Sequence, residues 1–463
     1  MTAEVIVVGG GIAGLSCAFR LQQQGVNVEL LEAADRVGGN VGTIGDGGFL
    51  LERGPHTFMS SADDVFALAQ EAGIESEIVE NRPSAVKRFI VRHGKLCNVP
   101  TGPWSFLTTP LLSARAKCRL MSEPFRTRRG GPHDSAAEFF TRRFGREAAR
   151  VLAGAFISGV YAGDPERLSA PAAFPLFWRF EQESGSMIRG ALRYKKQRAA
   201  ERRARGIDVT HRPRGLCSFR LGMGQLTSAL ADKLQGRCTT GTQVRDIRRV
   251  DNQFMIATDN GHRRAPIVVV AVPPGDASRL FARQHPSLAE LLSAIPMAPL
   301  AVAYLGYQQR LEPIPDGFGF LVPRGEGIRS LGVLFPSRLF DGRAPEGCDV
   351  LTGYVGGMLD QEAVTLGDET IGEIVINDLA HLTGLSISPS FIKIVRHQQA
   401  IPQLTHGHLE GMQRLSQLST EVRGLFFAGN YLHGVGMKDA IRSGFEAASN
   451  VLQHRNVDKG APA

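Results

Sequence analysis

The chain has 463 residues, 43% apolar and 21% charged, and 53 Lys/Arg against 45 Asp/Glu give a formal net charge of +8. That length exceeds a single compact core and implies about three domains, while the composition excludes disordered, collagen-like and repeat architectures. Six scattered cysteines without a CxxC pair argue against a disulfide framework or a zinc site, and no apolar run approaches the ~20 residues that cross a bilayer.

In chain order, Val5–Val8 is a β-branched, strand-sized run that enters Gly9-Gly10-Gly11-Ile12-Ala13-Gly14, and a helical pattern through Leu15, Ala18, Phe19 and Leu21 follows. Strand, G-x-G-x-x-G and helix together form a cradle for a dinucleotide: Gly9 permits the tight turn, Gly11 lets a pyrophosphate approach the backbone, and Gly14 lets helix and strand pack closely. The head of the helix, at Ile12 and Ala13, adds unpaired N–H groups and a partial positive charge. Val28–Leu31 reads as the second strand, and Glu32, 18 residues after Gly14, is placed to accept hydrogen bonds from ribose hydroxyls. A second glycine pair follows in Asp35-Arg36-Val37-Gly38-Gly39, then Phe49–Arg53 and the bend Gly54-Pro55-His56-Thr57-Phe58.

Beyond residue 82, Arg88 stands near Arg92 and Lys95 on a polar turn, and those residues alone describe a solvated arginine. Residues 100–220 read as mostly helical. Gln243–Ile247 reads as a strand, and Phe254–Thr258 and Ile267–Val272 are expected to pair around the turn Asp259-Asn260-Gly261. Further strands are expected at Ala301–Tyr307, Gly317–Val322, Ser330–Phe335 and Val350–Tyr354, where alternation alone makes Leu321, Leu334 and Tyr354 core residues. Gly424–Asn430 reads as a strand ending in a loop at Gly429-Asn430. After Gly434-Val435-Gly436-Met437, an amphipathic helix places Ile441, Phe445 and Ala448 on one face.

The turn at Arg36 and Gly38-Gly39, the bend at 54–58 and the C-terminal turn and helix resemble the flavin amine oxidase superfamily. Within it, Phe156–Pro165, Gly317–Pro323, Leu331–Phe335, Tyr354–Gly357, Ile401-Pro402-Gln403 and Gly407-His408-Leu409 are similar to the protoporphyrinogen oxidases, and the likeness runs nearly end to end. The resemblance implies non-covalent FAD; a cysteinyl flavin near the C-terminus is excluded because no cysteine follows Cys348. It places Arg36, Gly38 and Gly39 over the pyrophosphate, and Gly54, Pro55, His56 and Thr57 beside the flavin ring. Val244 meets the adenine through its backbone. Gly429, Asn430, Val435, Gly436 and Met437 form a helix head aimed at the flavin pyrimidine. For the substrate it implies a propionate on Arg88, a macrocycle sandwiched by Leu321, Leu334 and Tyr354, and Gly159 beneath it; Tyr354 stands where a phenylalanine is expected.

The implied reaction is oxidation of protoporphyrinogen IX to protoporphyrin IX in haem biosynthesis, in three two-electron steps with dioxygen as acceptor and hydrogen peroxide as product. It needs no acid–base pair of side chains, because the flavin takes the hydride. The implied fold is a Rossmann-like α/β FAD domain, discontinuous over 1–81, 221–275 and 422–463, with a mixed-sheet α+β substrate domain at 82–99 and 276–421 and a helical domain at 100–220. A coproporphyrinogen oxidase of the same fold is the nearest alternative and would need more cations around its pocket. A non-catalytic flavin-fold scaffold is the alternative from another class.

Between Ile188 and Arg220, eleven Lys/Arg face two acidic residues, whereas the other 42 basic and 43 acidic residues nearly cancel. Either this is a solvated helix and loop, or it attracts anionic lipid at ~1 kcal/mol per basic residue near the surface. In the second case Trp104, Phe106, Leu107, Leu111 and Leu112 would dip into the interface. The expectation is a cytoplasmic protein without a cleavable signal, held peripherally on the cytoplasmic face of the membrane. No nucleic-acid recognition motif accompanies the basic segment, no metal site is expected, and a homodimer is compatible with the sequence.

Overall fold

The computed structural model describes residues 3–204, 213 and 215–460, apart from the side chains of 202 and 458–460. Its centre is a five-stranded parallel sheet in the order Cys238–Thr239, Val28–Leu31, Val5–Val8, Ile267–Val270, Leu425–Phe427. Val5–Val8 and Ile267–Val270 are unbroken apolar runs because both faces of the sheet are covered there. On one face Val5 and Val7 pack with Leu15 of the helix Ile12–Gln23 and with Ile441 and Val451 of the helix Met437–Gly460. On the other, Ile6, Val8, Val268 and Val270 pack with Ile247, Phe254 and Leu280. One sheet thus draws its strands from both ends of the chain and from its middle.

A three-stranded antiparallel sheet, Val244–Val250, Gln253–Thr258 and Gly261–Ala265, lies against this second face. It corrects one expectation. The turn at Asp259-Asn260-Gly261 joins Gln253–Thr258 to the polar strand Gly261–Ala265 and not to Ile267–Val272. After Pro266 the apolar run goes into the parallel sheet, where every residue of Ile267–Val270 is buried.

A seven-stranded mixed sheet follows the order Phe391–Pro402, Met297–Tyr307, Asp349–Gly356, Gly332–Leu334, Gly319–Leu321, Phe89–Arg92, Lys95–Asn98, with one parallel pair between Phe320–Leu321 and Phe89–Ile90. One face packs Phe89, Phe320, Val333 and Val355 against Val375 and Leu379 of the helix Asp368–Thr383. The opposite face carries Leu321, Leu334 and Tyr354.

Helices dominate from Pro103 to Ala204. Leu216–Phe219 departs from the helical expectation for 100–220: it is a strand between Phe58–Met59 and Ile78–Glu80, and Cys217 and Phe219 are buried in the core of the parallel-sheet layer. Within the helical part, the fully buried Arg143 donates through Nε to Glu123 at 2.8 Å. Glu123 in turn accepts from Ser186 Oγ and the Met187 amide, at 2.7 and 2.8 Å, and so caps the basic helix Met187–Ala204. Of the basic segment, residues 205–212 and 214 lie outside the described residues. Leu111 and Leu112 are buried beside Ile90 and Val151, which corrects their proposed insertion into lipid: they are core.

Candidate flavin site

The glycine turn at the head of the first helix has its form for steric reasons that separate one glycine from another. Gly9 has φ +107°, and a Cβ there would meet the Ala271 carbonyl oxygen at 2.7 Å. A Cβ on Gly14 would stand 2.0 Å from the Gly9 carbonyl oxygen, so helix and strand touch there. At Gly11, by contrast, a Cβ would meet no atom within 4 Å, and this residue heads the helix without a side-chain cap. The turn is therefore built around an open space that bare amides face, and a pyrophosphate fits it by charge and by shape.

The second glycine pair closes on the first. The Gly38 amide donates to the Gly10 carbonyl at 2.7 Å, and a Cβ on Gly39 would lie 3.4 Å from the Gly11 Cα. Arg36 donates to Val37 and Gly39 carbonyls at 3.0 and 2.8 Å, which holds its guanidinium over the same loop. Burial lowers the Arg36 pKa, and the neighbouring Arg53 lowers it further. Glu32 accepts from the Gly10 and Ala34 amides at 2.6 and 2.9 Å, and the Thr242 amide donates to its carbonyl. This brings the start of Val244–Val250 alongside Glu32, with Val244 half-buried at a bulge in that strand. Glu32 and Val244 thus flank one end of the crevice.

The far end of the chain meets this crevice because the helix Met437–Gly460 crosses the first helix at Gly444, where a Cβ would strike the Ala13 carbonyl oxygen at 2.3 Å. In the sequence Gly444 carries only the signal of a lone glycine inside a helical pattern. Ahead of that helix, the Gly429 amide donates to Ser443 Oγ at 2.8 Å and Asn430 Nδ2 to the Val435 carbonyl at 3.2 Å. Asp439 accepts the Gly436 amide at 3.1 Å, next to Met437. His433 points elsewhere, to Glu446 at 3.3 Å.

The bend at 54–57 joins this crevice to the seven-stranded sheet. A Cβ on Gly54 would lie 2.3 Å from the Asn40 carbonyl oxygen, so the bend rides on the second glycine loop, and Pro55 and Thr57 are half-buried on either side of His56. His56 is 7% exposed, its Nε2 has no hydrogen-bond partner among the described residues, and its ring lies 6.4 Å from that of Tyr354. Burial, with Arg343 nearby, pushes His56 down to about 3, so it is neutral. Beneath it, buried Glu52 accepts from Thr43 Oγ1 and the Met223 amide at 2.7 and 2.9 Å, and burial pushes it up to about 7. Arg343, also buried, donates to Ser218 Oγ and the Phe219 carbonyl at 2.9 and 2.8 Å. Neither Glu52 nor Arg343 is among the residues expected at the site.

On the outer face of the seven-stranded sheet, strand register brings the expected substrate residues together. Leu321 pairs with Gly332 and Gly332 with Tyr354, so the two side chains flank a notch; Leu334 lies in the next row, opposite Gly319 and Thr352. Gly159 lies over this notch on the wide-wound turn Ile157–Tyr161: a Cβ there would stand 2.2 Å from Leu321 Cδ2. Leu321 fills the gap with the end of a flexible side chain, so a change of rotamer opens it. Burial raises the Tyr354 hydroxyl well above its usual range and keeps it neutral. Arg88 extends the hairpin by accepting the Val99 amide at 2.8 Å, two residues before Ile90, the in-register partner of Leu321. Its guanidinium is exposed, lies 5.7 Å from the Phe318 ring and pairs with no carboxylate among the described residues.

A glycine cradle on a parallel sheet beside an apolar notch is the arrangement of a dinucleotide-dependent oxidoreductase. The chain belongs to the flavin-containing amine oxidoreductase family, whose sequence pattern matches residues 12–452. It is 32% identical to a chloroplastic protoporphyrinogen oxidase of Oryza sativa over 98% of this chain and 89% of the relative. It is 27% identical to a coproporphyrinogen III oxidase of Bacillus subtilis over 97% and 98%. A crystal structure from Exiguobacterium sp. 255-15, provisionally assigned as a protoporphyrinogen oxidase, superposes with a TM-score of 0.82 at 26% identity and covers 98% of this chain and 99% of its own. FAD is the cofactor of this family, and the open cradle at Gly11 and the orphaned Nε2 of His56 leave room and polar contacts for it.

Proposed function

We propose that the protein oxidises protoporphyrinogen IX to protoporphyrin IX with dioxygen as the final acceptor. The observation that carries this reading is the junction itself: an apolar notch with an unpaired guanidinium at its margin, on the sheet face next to the bend that skirts the flavin place. Bound FAD supplies the hydride acceptor. The chain's own residues do the rest. Arg88 offers a bidentate fork to one propionate and fixes the macrocycle's rotation. Leu321, Leu334 and Gly159 close on its faces and exclude water, which holds a methylene bridge at short range without ordering solvent. His56 and Tyr354, both neutral, border the notch without placing a charge beside a hydride transfer. Each two-electron step removes a hydride from a bridge carbon and one proton from the macrocycle; over the three steps four hydrogens leave the methylene bridges and two leave the pyrrole nitrogens, three as hydride and three as protons, which completes the aromatic ring.

Coproporphyrinogen III is the second reading, favoured by the end-to-end match to the Bacillus subtilis enzyme. Steady-state turnover on the two porphyrinogens separates them: the first reading expects kcat/KM for protoporphyrinogen to exceed that for coproporphyrinogen, and the reverse order overturns it.

The same reading includes a peripheral contact with anionic lipid. Trp104 and Phe125 are 77% and 79% exposed, and Leu107 and Met121 are also exposed. These sites are contiguous with the basic helix: Lys117 Nζ donates to the Leu107 carbonyl at 2.7 Å, and Glu123, two residues from Phe125, caps Met187. Among the described residues no helix is long and apolar enough to cross a membrane.

A further inference from the structure

Arg53 was not among the expected site residues, yet its backbone is held against the second glycine loop from both sides. Its amide donates to the Gly42 carbonyl at 2.8 Å, and its carbonyl oxygen lies 2.8 Å from His397 Nε2. The next residue, Gly54, rests on the Asn40 carbonyl oxygen. So fixed, the side chain crosses Gly42 toward Arg36: a Cβ built on Gly42 would meet Arg36 Nη1 at 2.8 Å and Arg53 Cδ at 3.3 Å. Two guanidiniums therefore converge on the loop that covers Gly11, with the half-buried His397 ring beside them. Like charges brought together in a partly desolvated place repel, and a fold tolerates that where an anion joins them. Arg36 commits one donor on each Nη to the Val37 and Gly39 carbonyls. Arg53 has no ion pair or side-chain hydrogen bond among the described residues, so its five donors are free for a ligand. Glu32 is engaged by the Gly10 and Ala34 amides.

We infer that Arg53 is a second pyrophosphate-binding guanidinium, working with Arg36 to neutralise the diphosphate of FAD and to clamp it against Gly11. Arg36 shapes the loop through its carbonyl contacts, and Arg53 supplies the mobile fork. A neutral side chain of similar length, as in Arg53→Met, retains the packing over Gly42 and removes the charge.

The test is binding by the full-length protein stripped of flavin, read by quenching of flavin fluorescence and by calorimetry with ADP and adenosine. Arg53→Met is expected to weaken FAD and ADP at least tenfold each and to leave adenosine within twofold. Arg53→Lys, which keeps charge without the planar fork, is expected to fall between. Raising salt should weaken FAD binding less in Arg53→Met than in the wild type. Unchanged ADP affinity in Arg53→Met overturns the inference, and so does an equal loss for adenosine, which would mark a general disturbance of the crevice. None of these readings depends on which porphyrinogen is oxidised.

Discussion

Gly11 and Gly14 lie in the same short turn, and the structure gives them opposite roles. In Gly14→Ala the new methyl would sit 2.0 Å from the Gly9 carbonyl oxygen and 3.2 Å from Ala271 Cβ, against backbone that cannot swing away. Overpacking of this kind costs about 1–3 kcal/mol, and more when the backbone itself must shift. In Gly11→Ala the methyl meets nothing within 4 Å, and φ −66°, ψ 171° suits alanine. Reduced unfolded-state entropy favours alanine by about 0.4–1 kcal/mol, and its weaker capping disfavours it by a similar amount. The flavin-free Gly11→Ala protein should therefore melt within about 1 kcal/mol of the wild type. Its methyl occupies the space assigned to the pyrophosphate, so FAD affinity should fall at least tenfold, or about 1.4 kcal/mol. Differential scanning fluorimetry of both flavin-free variants, with flavin titrations, checks the pair. Wild-type FAD affinity in Gly11→Ala, or equal destabilisation by the two substitutions, would refute the placement of the cofactor.

Arg88→Ala should raise KM at least tenfold for the porphyrinogen while leaving flavin affinity unchanged, because the exposed guanidinium pairs with no carboxylate among the described residues and touches only the Phe318 ring at 5.7 Å; a KM within twofold of wild type counts against it as the propionate anchor. The pH dependence of stability has two opposed contributors. Glu52, at about 7 in the fold against an ordinary value near 4.5, stabilises fully below pH 4.5 and loses that contribution as pH rises through 7. His56, at about 3 against 6.5, contributes fully above pH 6.5 and loses it as pH falls toward 3. Glu52→Gln should therefore flatten the decline between pH 4.5 and 7 and raise stability at pH 8, as read from melting temperature against pH; parallel curves would show that burial of this carboxylate is not the cause. Flotation with anionic vesicles should recover the protein at low salt, and replacing Trp104 and Phe125 with Ser should reduce recovery severalfold. Equal recovery on neutral vesicles, or none at low salt, removes the lipid contact.

The parts of the site visible in the sequence are those where backbone geometry leaves only one residue type. Gly9 and Gly14 are glycines because nothing else fits, and the open turn at Gly11 shares their spacing, so the crevice announces itself locally. Gly444 answers an equally strict constraint, but its partner, Ala13, lies more than four hundred residues away, and a single glycine in a helix has no spacing to read. Arg53 hid for a related reason. Its meaning comes from meeting Arg36 across Gly42, a contact between two loops on either side of the hairpin Thr43–Glu52. The apolar run after Asp259-Asn260-Gly261 misled because a good turn and a good strand adjoin without pairing: the intervening polar strand Gly261–Ala265 lacks the alternation that marks its neighbours, and burial on both faces drew Ile267–Val270 into the parallel sheet. Leu111 and Leu112 misled similarly, since an apolar pair beside a basic helix fits a lipid surface and a core equally well until Ile90 and Val151 are found against it.

The direct test of the proposed chemistry is anaerobic mixing of the yellow holoenzyme with one equivalent of protoporphyrinogen, followed by admission of air. The expected result is bleaching of the flavin band as porphyrin intermediates form, with recovery of the yellow colour and release of hydrogen peroxide once oxygen enters. A flavin that stays oxidised in the presence of protoporphyrinogen and of coproporphyrinogen would contradict the assignment of the Leu321, Leu334 and Tyr354 face to a porphyrinogen ring.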